Sequence, residues 1–184
     1  MKLKREGGFT LIELILALAI NSILFLAIFS MLNFSVRCCK LGDIEDEVLL
    51  NGRYALEYIK REIRSADKII STEKFDSLDE EYEDHFGFVI MNYDSNKTFK
   101  YNYITYYFKN NKIYRIAANR VNDKLPKGSE FSGHNEIAEF IESVEGTNIN
   151  FNTKLIELIF ILEGKDLKEI KLQSKLSVRC PTIY

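Results

Sequence analysis

The chain has 184 residues and a formal charge of −2, which is enough for one membrane helix and one modest domain whose core needs no staples. The slightly acidic balance argues against a nucleic-acid surface built on bulk positive charge, although it leaves room for a local basic patch. Three cysteines, Cys38, Cys39 and Cys180, leave at least one unpaired in a monomer, so no disulfide framework or cysteine metal ladder is implied.

Lys2, Lys4 and Arg5 precede Gly7-Gly8-Phe9-Thr10-Leu11-Ile12-Glu13, which opens an apolar run reaching Val36 with Glu13 as its single charge. A carboxylate within a membrane-spanning helix costs about 2.5–3.5 kcal/mol on insertion scales. It is therefore paired or functional, unless it lies at the headgroup boundary, where the cost is small. Ala17-Leu18-Ala19 looks like a signal-peptidase site, but apolar sequence continues from Ile20 to Val36, and cleavage there would leave a hydrophobic stub. As a helix, 9–36 would be about 42 Å long, more than the ~30 Å hydrocarbon core requires. Such a helix is expected to span and then continue outward. Asn21, Ser22, Ser30 and Asn33 sit at helix-compatible places, where bonding back to their own turn is favoured over bonding to neighbouring helices.

The short basic leader, Gly8, and the order Phe9-Thr10-Leu11-Ile12-Glu13 resemble the prepilin signal of type IV pilins and type II secretion pseudopilins. The resemblance implies cleavage after Gly8 on the cytoplasmic side by a membrane aspartyl prepilin peptidase, with N-methylation of the new first residue, Phe9. It also implies that Glu13 neutralises the terminal amine of a neighbouring subunit. An ammonium and a carboxylate, each costly in lipid, become tolerable as an intermolecular pair, and the pairing fixes the stagger between adjacent helices. Loss of residues 1–8 removes Lys2, Lys4, Arg5 and Glu6, a net +2, and leaves a mature charge of −4. Arg37 and Lys40 on the far flank weaken the positive-inside signal, so a cytoplasmic N-terminus and an extracytoplasmic head are implied by the resemblance. Many major pilins carry a proline near the position of Ser30; this chain has none there.

From Leu41 the pattern becomes amphipathic, with Leu41, Ile44, Val48, Ala55, Ile59, Ile63 and Ala66 recurring at helical spacings. Asp43, Glu45, Asp46, Arg53, Lys60, Arg61, Glu62 and Arg64 occupy the rest of the circumference, and Gly42 or Gly52 could mark a bend. The stop is expected near Ser65-Ala66-Asp67. The stretch from Arg53 to Arg64 also resembles the distal helix of J-like or W-like minor pilins. Beyond it the chain turns β-rich: strands are expected at 68–72, 86–91, 97–108, 113–117, 148–151, 155–162 and 169–178. Lys109-Asn110-Asn111-Lys112 is a hairpin turn and Glu163-Gly164-Lys165-Asp166 another. Residues 75–84 are expected to be an acidic loop, and 119–135 a long surface loop. Periodicity leaves 136–144 open between a short helix and the lead-in to a strand. The expected fold class is α+β and pilin-like: one long N-terminal helix, with a membrane half and an amphipathic half, packed on an antiparallel β-sheet head. The expected divisions are a leader at 1–8, the helix at 9–66 with its membrane span at about 9–36, and the head at 67–184.

The head offers little chemistry. His85 and His134 have no metal-ligand spacing with the cysteines, and no phosphate loop, nucleophile elbow or thiol motif occurs, so neither a cofactor nor a metal is expected. Asp76, Asp79, Glu80, Glu81, Glu83 and Asp84 lack the order and glycine of an EF-hand, and a solvated face suits them better than calcium. Aromatics and cations interleave from Lys97 to Arg115. Tyr101, Tyr103, Lys109 and Lys112 are the candidates for single-stranded DNA contact, against the ordinary alternative of a hairpin with one packed face. The function expected is that of a non-enzymatic minor pilin or pseudopilin that helps initiate or cap a filament of a pilus, a secretion system or a competence system. The alternatives are a head that binds DNA and an unprocessed signal-anchored protein. The implied partners are prepilin peptidase, other pilins, an inner-membrane assembly platform and, before assembly, membrane lipid.

Overall fold

The structure is a computed structural model that describes Gly8, residues 10–163 and residues 169–184. Two compact units divide the chain between Ile44 and Glu45. The first helix, α1 (Leu11–Ser65), is assigned as α-helix throughout, including Ser30, Gly42 and Gly52. Within the first unit, Leu11–Lys40 is long and apolar enough to cross a membrane. Its large apolar side chains from Leu11 to Val36 are all exposed. Ser22 Oγ donates to the Leu18 carbonyl at 2.8 Å, so its hydroxyl is satisfied by its own turn.

In the second unit, residues 45–65 contribute the buried face Val48, Ala55, Leu56, Ile59 and Ile63, on the spacing that the sequence predicts. The side chains of Leu41 and Ile44, expected on the same stripe, lie outside those described. Gly52 is explained by packing and marks no break in the helix: a Cβ there would come within 2.8–2.9 Å of the methyls of Leu162 and Leu172. A residue without a side chain lets the helix approach the sheet closely.

After α1 come β1 (Lys68–Ser71), the single turn α2 (Leu78–Glu81), β2 (Phe88–Tyr93), β3 (Tyr101–Lys109) and β4 (Lys112–Arg120). These are followed by β5 (Ser132–Ala138), β6 (Ile141–Ser143), β7 (Asn148–Asn150), β8 (Leu155–Glu163), β9 (Glu169–Ser177) and β10 (Thr182–Ile183). They form two sheets where one was expected. The larger has the order β10-β1-β2-β3-β4-β5. In the smaller, β9 lines one edge of β8 over its whole length, and β6 and β7 share the other. All pairs are antiparallel except β1–β10, which is parallel. The α+β, pilin-like arrangement of a long N-terminal helix followed by largely antiparallel sheets is therefore present.

Several boundaries differ from the sequence expectation. The hairpin turn falls at Asn110 and Asn111, both left-handed (φ 52° and 60°), as two asparagines permit. The segment 119–135 is not one long loop, because β4 runs to Arg120 and β5 starts at Ser132. Residues 136–144 hold strand and no helix. The turn expected at 163–166 falls mostly on residues outside those described; Glu163 itself ends β8. The acidic loop is more structured than expected: Phe75 and Leu78 are buried, and Gly128 lies against it so closely that a Cβ would sit 2.3 Å from the Ser77 carbonyl oxygen.

The main core joins the α1 face to Phe88, Ile90, Ile104 and Ile113 of the larger sheet and to Ile156, Leu158, Phe160 and Leu162 of the smaller. The opposite face of the larger sheet, with Val89, Met91, Tyr103 and Ile116, is covered by Phe75, Leu78 and Phe131. Coverage on both faces is why Phe88-Val89-Ile90-Met91 is apolar without alternation. A polar clamp crosses the main core. Glu62 accepts from Arg115 Nε at 3.1 and 3.2 Å, from the Tyr106 hydroxyl and, at 3.4 Å, from the Tyr58 hydroxyl. Both charged side chains are less than a fifth exposed, so removing either would strand the other at a cost of about 3 kcal/mol. Burial opposes the charge on Arg115, but the hydrogen bond and attraction of Glu62 more than offset it and raise its pKa.

Burial, and then the charge and hydrogen bond of Glu62, hold the Tyr106 hydroxyl well above the ordinary tyrosine range. The folded chain keeps a proton that the unfolded chain releases near pH ~10. The contribution is intact below that pH and is lost as pH rises above it. Urea unfolding between about pH 10 and 11 should therefore show stability falling less steeply for Tyr106→Phe, by up to about 1.4 kcal/mol per pH unit. Equal slopes would contradict the assignment.

Candidate functional site

The N-terminus of α1 is built by two residues spaced as a capping box, Thr10-x-x-Glu13. Glu13 Oε2 accepts from the Thr10 backbone amide at 2.9 Å and from the Thr10 hydroxyl at 2.9 Å. The Glu13 amide in turn donates to Thr10 Oγ1 at 3.3 Å. These reciprocal bonds satisfy donors that the first helical turn leaves without partners. They also place the carboxylate at the positive end of the helix dipole. One carboxylate oxygen does all of this work, and among the described residues no hydrogen bond falls on Oε1. A carboxylate has about four acceptor positions, so Glu13 keeps capacity for a second donor. Gly8 is exposed. Phe9, the residue expected to be methylated, lies outside the described residues.

The role of Thr10 was readable from the Thr-x-x-Glu spacing but is absent from a charge-only view of Glu13. Immediately after it, Leu11 to Val36 present apolar side chains that bury nothing within the unit. Such a surface is stable only in lipid or against other apolar helices.

The head distributes the remaining sequence candidates without assembling a second site from them. Tyr103 is 1% exposed, and its hydroxyl donates to the Asp123 carbonyl at 3.2 Å, so its ring offers no face to a base. Tyr101 is half-buried beside Tyr93, with ring centroids 5.0 Å apart. Lys109 is exposed, whereas Lys112 is paired with Glu136 at 2.7 Å and Glu139 at 3.6 Å. His134 Nδ1 lies 2.9 Å from the Tyr107 hydroxyl. His85 contacts Asp79 at 2.7 Å and accepts from the Gly87 amide. Among the described residues, no three His, Cys, Asp or Glu side chains converge as a metal site would require. Cys38, Cys39 and Cys180 are free thiols; Cys180 is half-buried, and burial raises its pKa.

Residues 3–29 match the family described as the prokaryotic N-terminal methylation motif. No curated protein and no solved structure matches the chain. The matched segment contains Gly8, Phe9, Thr10 and Glu13 together with the apolar helix as far as residue 29.

The capping box can be tested apart from any filament. Thr10→Val keeps the side chain's shape but removes the hydroxyl, at a cost of about 1 kcal/mol to the helix start. In detergent micelles, amide exchange at 11–14 should accelerate by about fivefold, while the remainder of α1 stays unchanged. Unaltered exchange would show that the box contributes nothing. The capping box lies within the matched segment, and residues 3–29 of the chain carry the prokaryotic N-terminal methylation motif.

Proposed function

We propose that the chain is a minor pilin or pseudopilin of the J-like or W-like kind, a structural subunit with no catalytic role. Prepilin peptidase removes residues 1–8 after Gly8 and methylates Phe9. The helix 9–66, spanning the inner membrane at about 9–36 with its N-terminus cytoplasmic, holds the subunit in lipid until an inner-membrane platform extracts it into a helical bundle. The head, 67–184, then faces outward and helps to initiate or cap the filament.

What carries this proposal is the pairing of the methylation motif at 3–29 with an apolar helix whose side chains find no partner in their own unit. In the bundle, each helix exchanges lipid for the apolar surface of its neighbours. Glu13 is already ordered by Thr10 through Oε2, and its second oxygen accepts the methylated amine of an adjacent Phe9. That geometry lowers the cost of placing both charges at membrane depth and sets the axial register between subunits.

Glu13→Ala should leave processing intact yet lower incorporation into filaments by at least about tenfold, because the neighbouring ammonium is left unpaired. Thr10→Val is the control: it weakens the cap but keeps the carboxylate, and should incorporate nearly normally. Incorporation can be read as the share of the subunit in sheared filaments or in co-purified pilin complexes. Equal incorporation of Glu13→Ala and the parent would sink the pairing role.

A further inference from the structure

The two sheets end on strands of different kinds. Those of the larger sheet are β10, which is two residues long, and β5, whose pairing with β4 is interrupted by two register shifts. On the far side of β8, β6 and β7 run for three residues each. Short or irregular strands are poor templates for further pairing. β9 is neither short nor irregular. It pairs with β8 without interruption from Glu169 to Ser177, and among the described residues it has no other strand partner and no backbone hydrogen bond outside that ladder. Its outer edge is therefore an unpaired row nine residues long, along which every second residue offers its amide and carbonyl.

The side chains along this edge define what would fit it. On the face turned to α1, Ile156, Leu158, Phe160 and Leu162 of β8 are fully buried. In β9, Ile170 and Leu172, which pair with Leu162 and Phe160, are only half-buried. The core row thus runs out at β9 with apolar surface left uncovered. The opposite face carries Lys171 and Lys175, the latter paired with Glu157 at 3.2 Å. At the C-terminal end of the strand lies a cavity of about 680 Å³, lined by Lys175, Leu176 and Ser177 together with Ile63, Arg64 and Arg179. Consecutive residues of a strand point to opposite faces, so a cavity lined by three in a row follows the strand's edge. Among the described residues, Arg64 and Arg179 are exposed and make no ion pair.

We propose that an extended, acidic segment of another protein adds to the edge of β9 as a further strand, its carboxylates taken by Arg64 and Arg179 where it crosses the cavity. Main-chain hydrogen bonds supply the affinity and alternate side chains the selectivity: apolar residues lie beside Ile170 and Leu172, acidic ones beside Lys171 and Lys175. Arginine suits the end of the track because its planar fork takes a carboxylate by two parallel hydrogen bonds. A second copy of this chain is a poor occupant. Antiparallel pairing of two β9 edges centred on Gln173 sets Lys171 against the Lys175 of the second copy, and like charges directly opposite are destabilising. The edge is guarded against itself and open to a strand of opposite sign. The contact uses only the head and does not depend on the assembly proposed above.

The test uses the full chain in detergent micelles, amide exchange read residue by residue, and three synthetic peptides of about ten residues, the length of a long strand. One alternates valine and glutamate, one alternates valine and lysine, and the third is the glutamate peptide N-methylated at every residue, which keeps the charge but removes the donors. The glutamate peptide should slow exchange at alternate residues of 169–177 by at least about tenfold and leave β5 unchanged, whereas the other two should not. Arg64→Glu with Arg179→Glu should lower the affinity of the glutamate peptide by at least about tenfold, with exchange in β2 and β3 unaltered to show that the head is folded. On the parent chain, raising salt from about 0.05 to 0.5 M should weaken the same peptide as screening shortens the reach of these charges. No slowing along 169–177, slowing confined to β5, or equal effects of the three peptides overturns the proposal. Slowing along β9 that grows with protein concentration and needs no peptide assigns the edge to a second copy. Slowing by oligothymidylate but not by the glutamate peptide assigns it to single-stranded nucleic acid, and either of these results also overturns the proposal.

Discussion

An apolar helix that buries nothing of itself sets the terms for this protein. From Leu11 to Val36 the large side chains are exposed, and the free energy of that surface has to be met by lipid or by other helices. Backbone hydrogen bonds are satisfied within the helix, so the segment tolerates either apolar surrounding without rearrangement. The same segment can therefore lie in lipid or against other apolar helices. Its polar residues follow suit: Ser22 bonds back to Leu18, and the carboxylate of Glu13 folds over the helix start. Ser22 and Glu13 each bring a local partner into the apolar run, whereas among the described residues the side chains of Asn21, Ser30 and Asn33, expected to bond back in the same way, make no hydrogen bond.

The head obeys a different constraint. Its portion of α1 lies against two sheets, and a helix on a sheet can slide unless something fixes its register. Gly52 allows close approach to Leu162 and Leu172, which is a steric key. Glu62 with Arg115 and Tyr106 is an electrostatic one. Burying an ion pair gains little net stability over an apolar replacement, but misplacing it is costly, so its effect is mainly to penalise alternatives. The second core, built from Phe75, Leu78 and Phe131 over the far face of the larger sheet, turns what would be a solvated face into a packed one and orders the acidic segment on its outside.

The parts of the fold governed by local chemistry were legible in the sequence. The Asn110-Asn111 turn follows from two residues that tolerate left-handed backbone. The alternation of β9 follows from one buried and one open face. What escaped depends on pairing at a distance. β8 is shared by β6, β7 and β9, and nothing in its own run of apolar residues says that it belongs to a second sheet. β5 is mostly exposed, so it shows neither alternation nor an apolar run. β10 is two residues long and owes its assignment to β1. Glu62 sits between Ile59 and Ile63 in sequence and was grouped with the outward charges; only Arg115, 53 residues away, explains its inward position. At the N-terminus the balance was better. The methylation motif lies in one short stretch of sequence, residues 3–29, and Thr10 needed only the capping-box spacing to be recognised. The aromatic strand at 101–108 read as a hairpin with one packed face, with an exposed platform as the lesser alternative, and the burial of Tyr103 and Tyr106 is a property of the sheets' coverage, which composition does not encode.

The most direct test of the central claim is the intact mass of the membrane-extracted protein made with and without a prepilin peptidase. With the peptidase, the chain should lose residues 1–8 and gain one methyl group on Phe9, while without it the full precursor mass should persist. An unshortened product in the presence of an active peptidase, or cleavage after Ala19, would contradict the account.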